Sequence, residues 1–306
     1  MRRVRYTSNG GPEVLFVEDA PVPQPGAGEV LVRTEAIGVT LPAVRKVRAG
    51  GEPGPLGGEV AGTVAALGDG VTDLAVGDRV TALCFPHAYA EYAVVGHAMV
   101  SRVPDGASAV DAVALVRSGL VARGAFEASR PRPDDTFLIT AAASAVGTLA
   151  VQYAKAHDAA RVVAAVSSAE KADFVRAVGA DDVVLYDNSW GAPVDVVLDG
   201  VGGDLLGSAV CALASGGRLV AFSSGGGTIE AYELLTRSAS VIGFQMAAIA
   251  RGNPQLYARW RDELWQLHHD GDLRAHVHAQ FPLAEAAAAH EIIESRRNLG
   301  KVVLTC

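Results

Sequence analysis

No stretch of this 306-residue chain holds the roughly 20 consecutive apolar residues that a membrane-spanning helix needs, so no membrane partner is expected. Basic residues are outnumbered, 26 Lys and Arg against 34 Asp and Glu, for a net charge of −8. That balance argues against a nucleic-acid partner, whose phosphates need a basic face. The start, MRRVRYTSNGGPE, is basic but no apolar segment follows it, so no secretory signal is expected. Cysteine is scarce: Cys84, Cys211 and Cys306 are odd in number and far apart, which fits reduced thiols in a cytoplasmic protein better than a disulfide framework. A Gly-x-Ser-x-Gly elbow is also missing, which leaves hydrolase chemistry without support.

What is present points to two domains, because 306 residues exceed what one ordinary core holds. Half the residues are apolar, a fifth are charged and 34 are glycine, a globular composition with many tight turns. The first part reads as β structure: VLFVEDA, EVLVRTEAIGV, EVAGTVAAL, DRVTAL and YAEYAVV are short, Val-rich and punctuated by Gly, Pro and Asp. In EVLVRTEA, Val30, Val32, Thr34 and Ala36 share one face, with Arg33 and Glu35 on the other. Such strands suggest a barrel or sandwich, interrupted by one helix near LPAVRKVR. From about Val110 the pattern changes. The strands FLIT, RVVAAV, DVVLY, VDVVLD, GRLVAF and SVIGF alternate with helical segments, the signature of a doubly wound parallel sheet. A long polar helix, PQLYARWRDELWQLHHDG, an Ala-rich helix and a final strand, KVVLTC, close the chain.

The turn after FLIT is where such a fold places a phosphate loop, yet two of the three usual glycines are replaced. The first slot holds Ala142 or its neighbour, the second Ser144 or Ala145, and only the third, Gly147, is glycine. The replacements are all small, so backbone can still approach a ligand. Val146, Leu149, Ala150, Tyr153 and Ala154 fall on one face of the helix that follows, whose N-terminus offers its positive dipole end to a phosphate. Some twenty residues past the loop, where an NAD-preferring fold carries Asp or Glu, stand Ser167, Ser168 and, a turn later, Lys171. Hydroxyls and an ammonium suit a 2′-phosphate, which favours NADPH as the cofactor. The competing reading is that Ser168 only caps the next helix and Lys171 is solvated.

Taken in order, GGPEVL, PGAGEVLVRTEAIGV, LGGEVAGTVAALGDGVTDLAVGDRV, AYAEYAVV, AAASAVGTLAVQYAK, AVGADDVV, VDVVLDGVGG, ASGGRLVAF and LGKVVL resemble the zinc-free quinone oxidoreductase branch of the medium-chain dehydrogenase/reductase superfamily, which includes zeta-crystallin. The likeness covers nearly the whole chain. It implies an α/β architecture: a GroES-like β-barrel domain from residues 1–116 with 251–306, and a doubly wound Rossmann domain, residues 117–250. It places the pyrophosphate near Ser144, Ala145, Val146 and Gly147, the adenosine phosphate near Ser167, Ser168 and Lys171, and Tyr186 near the adenosine ribose. Gly200 and Val201 would flank the cofactor, Phe222, Ser223 and Phe244 would lie along its nicotinamide half, and Lys301 would reach it from the C-terminal segment. A homodimer formed through the edge strand ASVIGF is also implied.

Departures from the family pattern concentrate near the reaction site. Thr40 stands where Asn is common, and Leu120-Val121-Ala122-Arg123 replaces Leu-Thr-Ala-Tyr. The family's zinc enzymes bind metal through a Gly-His-Glu segment. Here Gly58 replaces that histidine, and Glu59 alone cannot complete a three-ligand site, so no metal is expected. His268, His269, His276 and His278 read as surface imidazoles. Tyr89 reads as a packing residue, with proton donation as the alternative. Without a metal, conjugate reduction of a quinone or enone needs the least assistance, and Thr40 and Arg45 are the candidates for holding its carbonyl oxygen. The alternatives are a zinc-independent alcohol dehydrogenase or ketoreductase and a non-catalytic NADPH-binding protein.

Overall fold

The alternation in EVLVRTEAIG becomes a strand in which Arg33 and Glu35 are exposed and every other position from Val30 to Gly38 is buried. The computed structural model describes residues 1–49, 51–222 and 225–306. Its contacts divide the chain into two units, Met1–Arg117 with Val277–Cys306, and Ser118–His276. In chain order the first unit contributes β1 (Arg2–Arg5), β2 (Phe16–Asp19), β3 (Glu29–Gly38), α1 (Leu41–Ala49), β4 (Gly58–Leu67), β5 (Arg79–Cys84), β6 (Tyr92–Gly96) and β7 (Val100–Arg102). The chain passes to the second unit within α2 (Ala109–Ala128) and continues through β8 (Thr136–Ile139), α3 (Ala145–Ala156), β9 (Arg161–Val166), α4 (Ala172–Val178), β10 (Asp182–Leu185) and β11 (Val194–Asp199). Then come α5 (Leu205–Cys211), β12 (Leu213–Ala221), α6 (Ala231–Arg237), β13 (Ser240–Gly243), α7 (Met246–Gly252) and α8 (Pro254–Asp270). The first unit is completed by β14 (Val277–Pro282), α9 (Ala286–Glu294) and β15 (Lys301–Thr305).

In the first unit the sheet runs β14-β15-β3-β4-β5-β7, with β6 also paired to β3, and β1-β2 form a separate antiparallel ribbon. The C-terminal strand β15 thus lies beside β3, antiparallel to it. The core between these strands is mostly Val, Ile and Leu, including Val30, Ile37, Val60, Val80, Val302 and Leu304. Tyr89 belongs to this core at 1% exposure, and its hydroxyl lies 3.1 Å from His290 Nε2 of α9. The two rings meet edge to face, with centroids 5.6 Å apart. Tyr89 is therefore a packing residue, and burial raises its hydroxyl further from ionisation.

The second unit holds a six-stranded sheet in the order β10-β9-β8-β11-β12-β13, every neighbouring pair parallel. The chain winds outward from β8 in one direction and from β11 in the other. The reversal between β8 and β11 is the topological switch point beyond whose carboxyl strand ends such sheets take ligands. The range 251–276, expected with the first unit, packs into the second. Helix α8 buries Tyr257, Trp260, Leu264 and Trp265, and Leu264 lies so close to α2 that a Cβ on Gly119 would stand 3.0 Å from its methyls. The GroES-like and Rossmann textures were readable, but this join depends on long-range packing that local sequence does not encode.

Burial lowers the His290 imidazole from the ordinary 6.5 to about 4. The unfolded chain therefore takes up a proton below about 6.5 that folded His290 refuses until about 4. Stability present above that window is lost as pH falls through it, on the order of 3 kcal/mol at the acid end. Urea midpoints of wild type and His290→Gln, compared at neutral pH and near the acid end of the window, should converge on acidification. A constant difference would contradict this assignment.

Candidate functional site

Strand β8, the first of the parallel sheet, ends at Ile139, and the chain passes Thr140 and turns through Ala141, Ala142 and Ala143 into Ser144, which caps α3. Ser144 Oγ accepts the Gly147 N–H at 3.1 Å, one of the amides a helix start leaves without an intrahelical acceptor. Gly147 must be glycine, because a Cβ there would sit 2.1 Å from the Ala141 carbonyl oxygen and 2.6 Å from Ala142 Cα. It therefore fills the third slot of the fingerprint in the sense that slot requires, close helix–strand packing. The first slot works differently. Ala141 adopts φ +49, a left-handed conformation that glycine takes freely and alanine at a cost of about 1 kcal/mol. Its N–H donates to the Tyr186 hydroxyl at 2.9 Å, a tie that holds the strained turn in place. Tyr186 was expected near a ribose; the structure sets its hydroxyl on the loop itself. Ala145 and Val146 form the first turn of α3, at the positive end of its dipole.

At the carboxyl end of β9, Lys171 Nζ donates to Ser167 Oγ at 3.1 Å. Ser168 stands at the N-cap of the short helical turn 169–171, with the extended backbone usual there, but its side chain makes no capping hydrogen bond. Ser167 is exposed and Lys171 half-buried. Tyr186 follows β10, and its ring is tilted against Trp190 with centroids 6.4 Å apart.

The turn after β11 carries Gly200 and Val201. Their amides are drawn back into the protein: Gly200 N–H donates to Thr140 Oγ1 at 2.8 Å, and Val201 N–H to Asp199 Oδ1 at 3.2 Å. Phe222, just beyond β12, packs its ring on Gly200, where a Cβ would be 3.1 Å from the ring edge. Ser223 lies outside the described residues. Phe244 has its ring against Gly124 of α2 and 6.5 Å from Trp260, and its N–H donates at 2.9 Å to the carbonyl of Ala221, the residue before Phe222. Arg123, the departure noted in sequence, lies 4.6 Å from the Trp260 ring centroid and pairs with Glu263 at 3.1 Å and Glu127 at 2.8 Å. It fastens α2 to α8.

In the first unit, Thr40 is buried and its Oγ1 accepts the Ala43 N–H at 3.3 Å, capping α1. Arg45 is half-buried on the same helix. Lys301, on β15, is 3% exposed and its ammonium contacts the Glu59 carboxylate of β4 directly. The Arg117 guanidinium lies 3.4 Å from the other Glu59 oxygen, an ion pair without hydrogen-bond geometry. Burial lowers the Lys301 ammonium to about 7, a fall that contact with a carboxylate opposes. Glu59 occupies the space a side chain at Gly38 would need, since a Cβ there would lie 2.2 Å from Oε1. The engagement of Glu59 with Arg117 and Lys301 was missed in sequence, because the partners are 58 and 242 residues away. Among the described residues, no group of three or more His, Cys, Asp or Glu side chains is placed to hold a metal ion. His276 and His278 do not converge: His276 packs against Phe174, and His278 Nδ1 accepts the Leu299 N–H.

Residues 26–105 match the alcohol dehydrogenase GroES-like domain, and residues 171–304 match the family described as zinc-binding dehydrogenase. A quinone oxidoreductase from Pseudomonas aeruginosa is 34% identical over 322 residues, covering 99% of each chain. A 2-haloacrylate reductase from a Burkholderia species is 30% identical over 326 residues, 96% of each chain. Among solved structures, the mycobacterial protein Rv1454c complexed with NADPH superposes with a TM-score of 0.93 at 33% identity, over the whole of both chains. Among the described residues the zinc in that family description finds no fitting donor set: Gly58 supplies no ligand, and Glu59 is committed to Lys301 and Arg117.

Gly147→Ala should destabilise the protein by about 1–3 kcal/mol, because backbone on both sides of the new methyl must shift. Ser144→Ala should cost about 1 kcal/mol through the lost cap. Thermal midpoints of the two variants check the order, and a Gly147→Ala protein as stable as wild type would remove the close-packing argument.

Proposed function

This chain belongs to the quinone oxidoreductase branch of the medium-chain dehydrogenase/reductase superfamily, and we propose that it uses NADPH to reduce the conjugated C=C of a quinone or enone without a metal. The observation that carries the cofactor reading is the Lys171–Ser167 pair at the carboxyl end of β9, where an NAD-selective site would hold a carboxylate. A 2′-phosphate would take the ammonium and the hydroxyls of Ser167 and Ser168 as donors. The pyrophosphate would be held by the α3 N-terminus at Ser144, Ala145, Val146 and Gly147, with Tyr186 fixing the loop. Gly200, Val201 and Phe222, with Ser223 and Phe244, are assigned to the nicotinamide half of the cofactor. When bound, NADPH supplies the hydride.

The rest of the chemistry falls to the chain's own groups. Reduction at the β-carbon of an enone builds negative charge on its carbonyl oxygen, which one or two hydrogen-bond donors stabilise. Thr40 fits that role: its Oγ1 already accepts from Ala43, so its O–H proton is the part left to donate. Arg45 is the second candidate, and water can return the proton to the α-carbon. The similarity to a 2-haloacrylate reductase supports a conjugated C=C as the acceptor class.

Two copies are proposed to pair along β13, the last strand of the six-stranded sheet. Val241 of that strand is 36% exposed, and Tyr232 and Leu235 of α6 are each 71% exposed, an apolar surface beside an open strand edge. A cytoplasmic location accords with the free thiols of Cys84, Cys211 and Cys306.

Purified protein with NADPH should consume reduced nicotinamide in the presence of at least one acceptor from a panel of quinones and enones, and a chelator should not slow it. Lys171→Ala should raise the KM for NADPH by roughly tenfold or more while leaving that for NADH nearly unchanged, the loss of one charge-assisted hydrogen bond. Binding without turnover on any acceptor would leave a non-catalytic nucleotide binder, and equal use of NADH by wild type would remove the 2′-phosphate assignment. Sedimentation should give a dimer for wild type and a monomer for Val241→Pro; a monomeric wild type overturns the pairing.

A further inference from the structure

Asp199 ends β11 at 0% exposure, and its carboxylate accepts three hydrogen bonds. Oδ1 accepts the Thr140 hydroxyl at 2.8 Å and the Val201 N–H at 3.2 Å, and Oδ2 accepts the Gly202 N–H at 2.9 Å. Thr140, also at 0% exposure, passes the connection on, because its Oγ1 accepts the Gly200 N–H at 2.8 Å. Three consecutive amides after β11 are therefore satisfied by two buried side chains. The backbone carbonyl of Asp199 accepts the Phe222 N–H at 3.1 Å, which brings in the end of β12 as well. Asp199 thus ties together the carboxyl ends of three adjacent central strands, its carboxylate reaching the end of β8 through Thr140 and its backbone carbonyl reaching the end of β12, and Thr140 is the residue directly before the strained Ala141 loop. A buried polar network of this kind is favourable only when every member is satisfied, and this one has donors and acceptors matched.

We infer that Asp199, acting through Thr140 and the backbone of Gly200–Gly202, is a positioning residue for the nicotinamide half of the nucleotide. The inference rests on the nucleotide reading proposed above. Asp199 is too deeply buried to touch the ligand. It sets the ligand's surroundings by fixing the direction of the turn on which Phe222 packs, and by keeping that turn level with the phosphate loop. Gly202 and Gly203 adopt φ +72 and +60, a left-handed region that glycine enters freely. Without the carboxylate, the Val201 and Gly202 amides would lose their acceptor. The adenosine end is separate: Ser167 and Lys171 stand at the end of β9, and the contacts of Asp199 described above do not reach them.

Asp199→Asn keeps the shape but not the hydrogen-bond pattern. Whichever way the amide is turned, its NH2 faces a backbone N–H, that of Val201 or that of Gly202. Thr140→Val keeps the volume and deletes the hydroxyl, whereas Thr140→Ser retains it. Dissociation constants for NADPH and for adenosine 2′-monophosphate, which lacks the nicotinamide half, provide the test by calorimetry, with thermal melting in parallel. Asp199→Asn and Thr140→Val should each weaken NADPH roughly tenfold, about 1.4 kcal/mol. Adenosine 2′-monophosphate should bind as to wild type, and Thr140→Ser should restore NADPH affinity. Unchanged NADPH affinity with a lowered melting point would reduce Asp199 to a structural role and overturn the inference. An equal loss for both probes would also overturn it, because it would mean a general loosening of the sheet. Should Asp199→Asn fail to fold, the Thr140→Val and Thr140→Ser pair decides on the same criteria. Wild type that binds neither probe would sink the nucleotide reading itself, and the inference with it.

Discussion

The parallel pairing of β8 with β11 is the constraint on which the second unit depends. It matches Phe137 with Val196, Leu138 with Val197 and Ile139 with Leu198, so the next residues along, Thr140 and Asp199, come level. A slip of one residue would move one past the other by about 3.3 Å and reverse the faces of every side chain in the strand. Both strands are buried on both faces, and their apolar residues leave that register little freedom. From it follow the switch point, the loop leading into α3 and the turn that carries Phe222. The chemistry assigned to this unit lies at strand ends because there the sheet stops satisfying its own amides and side chains take over.

The first unit uses charge in its interior. Glu59 sits between Lys301 and Arg117, with one carboxylate oxygen in contact with each cation's side. Burying three ionised groups is expensive, and a carboxylate shared by two cations recovers that cost only with good geometry. Removing Glu59 alone would strand two cations, so the pair resists piecemeal change more than it adds to stability. It also gives Lys301 a fixed position on β15, the strand that binds the C-terminus to β3.

Much of this was legible because it is periodic or local. The exposed Arg33 and Glu35, the six apolar strands and the buried face of α3 follow from patterns within a dozen residues. Gly147 could be identified because only the third glycine of the fingerprint is a matter of packing, and packing tolerates no substitute. The first slot was harder. Nothing local to Ala141 announces a left-handed residue, since the hydroxyl that steadies it comes from Tyr186, 45 residues away. The same limit hid the hold of Arg123 on α8, the partners of Glu59 and the late join at His276, all of which depend on segments distant in sequence. Asp199 gave a faint signal, an acid closing an otherwise apolar run, but its meaning required Thr140 beside it.

Gly38 and Glu59 share one volume, with the carboxylate filling the place where a methyl on Gly38 would stand. Neither position can drift alone: a larger residue at 38 demands a shorter one at 59, and a shorter residue at 59 opens a void beside two cations. Across diverging sequences the pair should behave as a single heritable character, changing in concert with the lysine that closes the sheet or not at all.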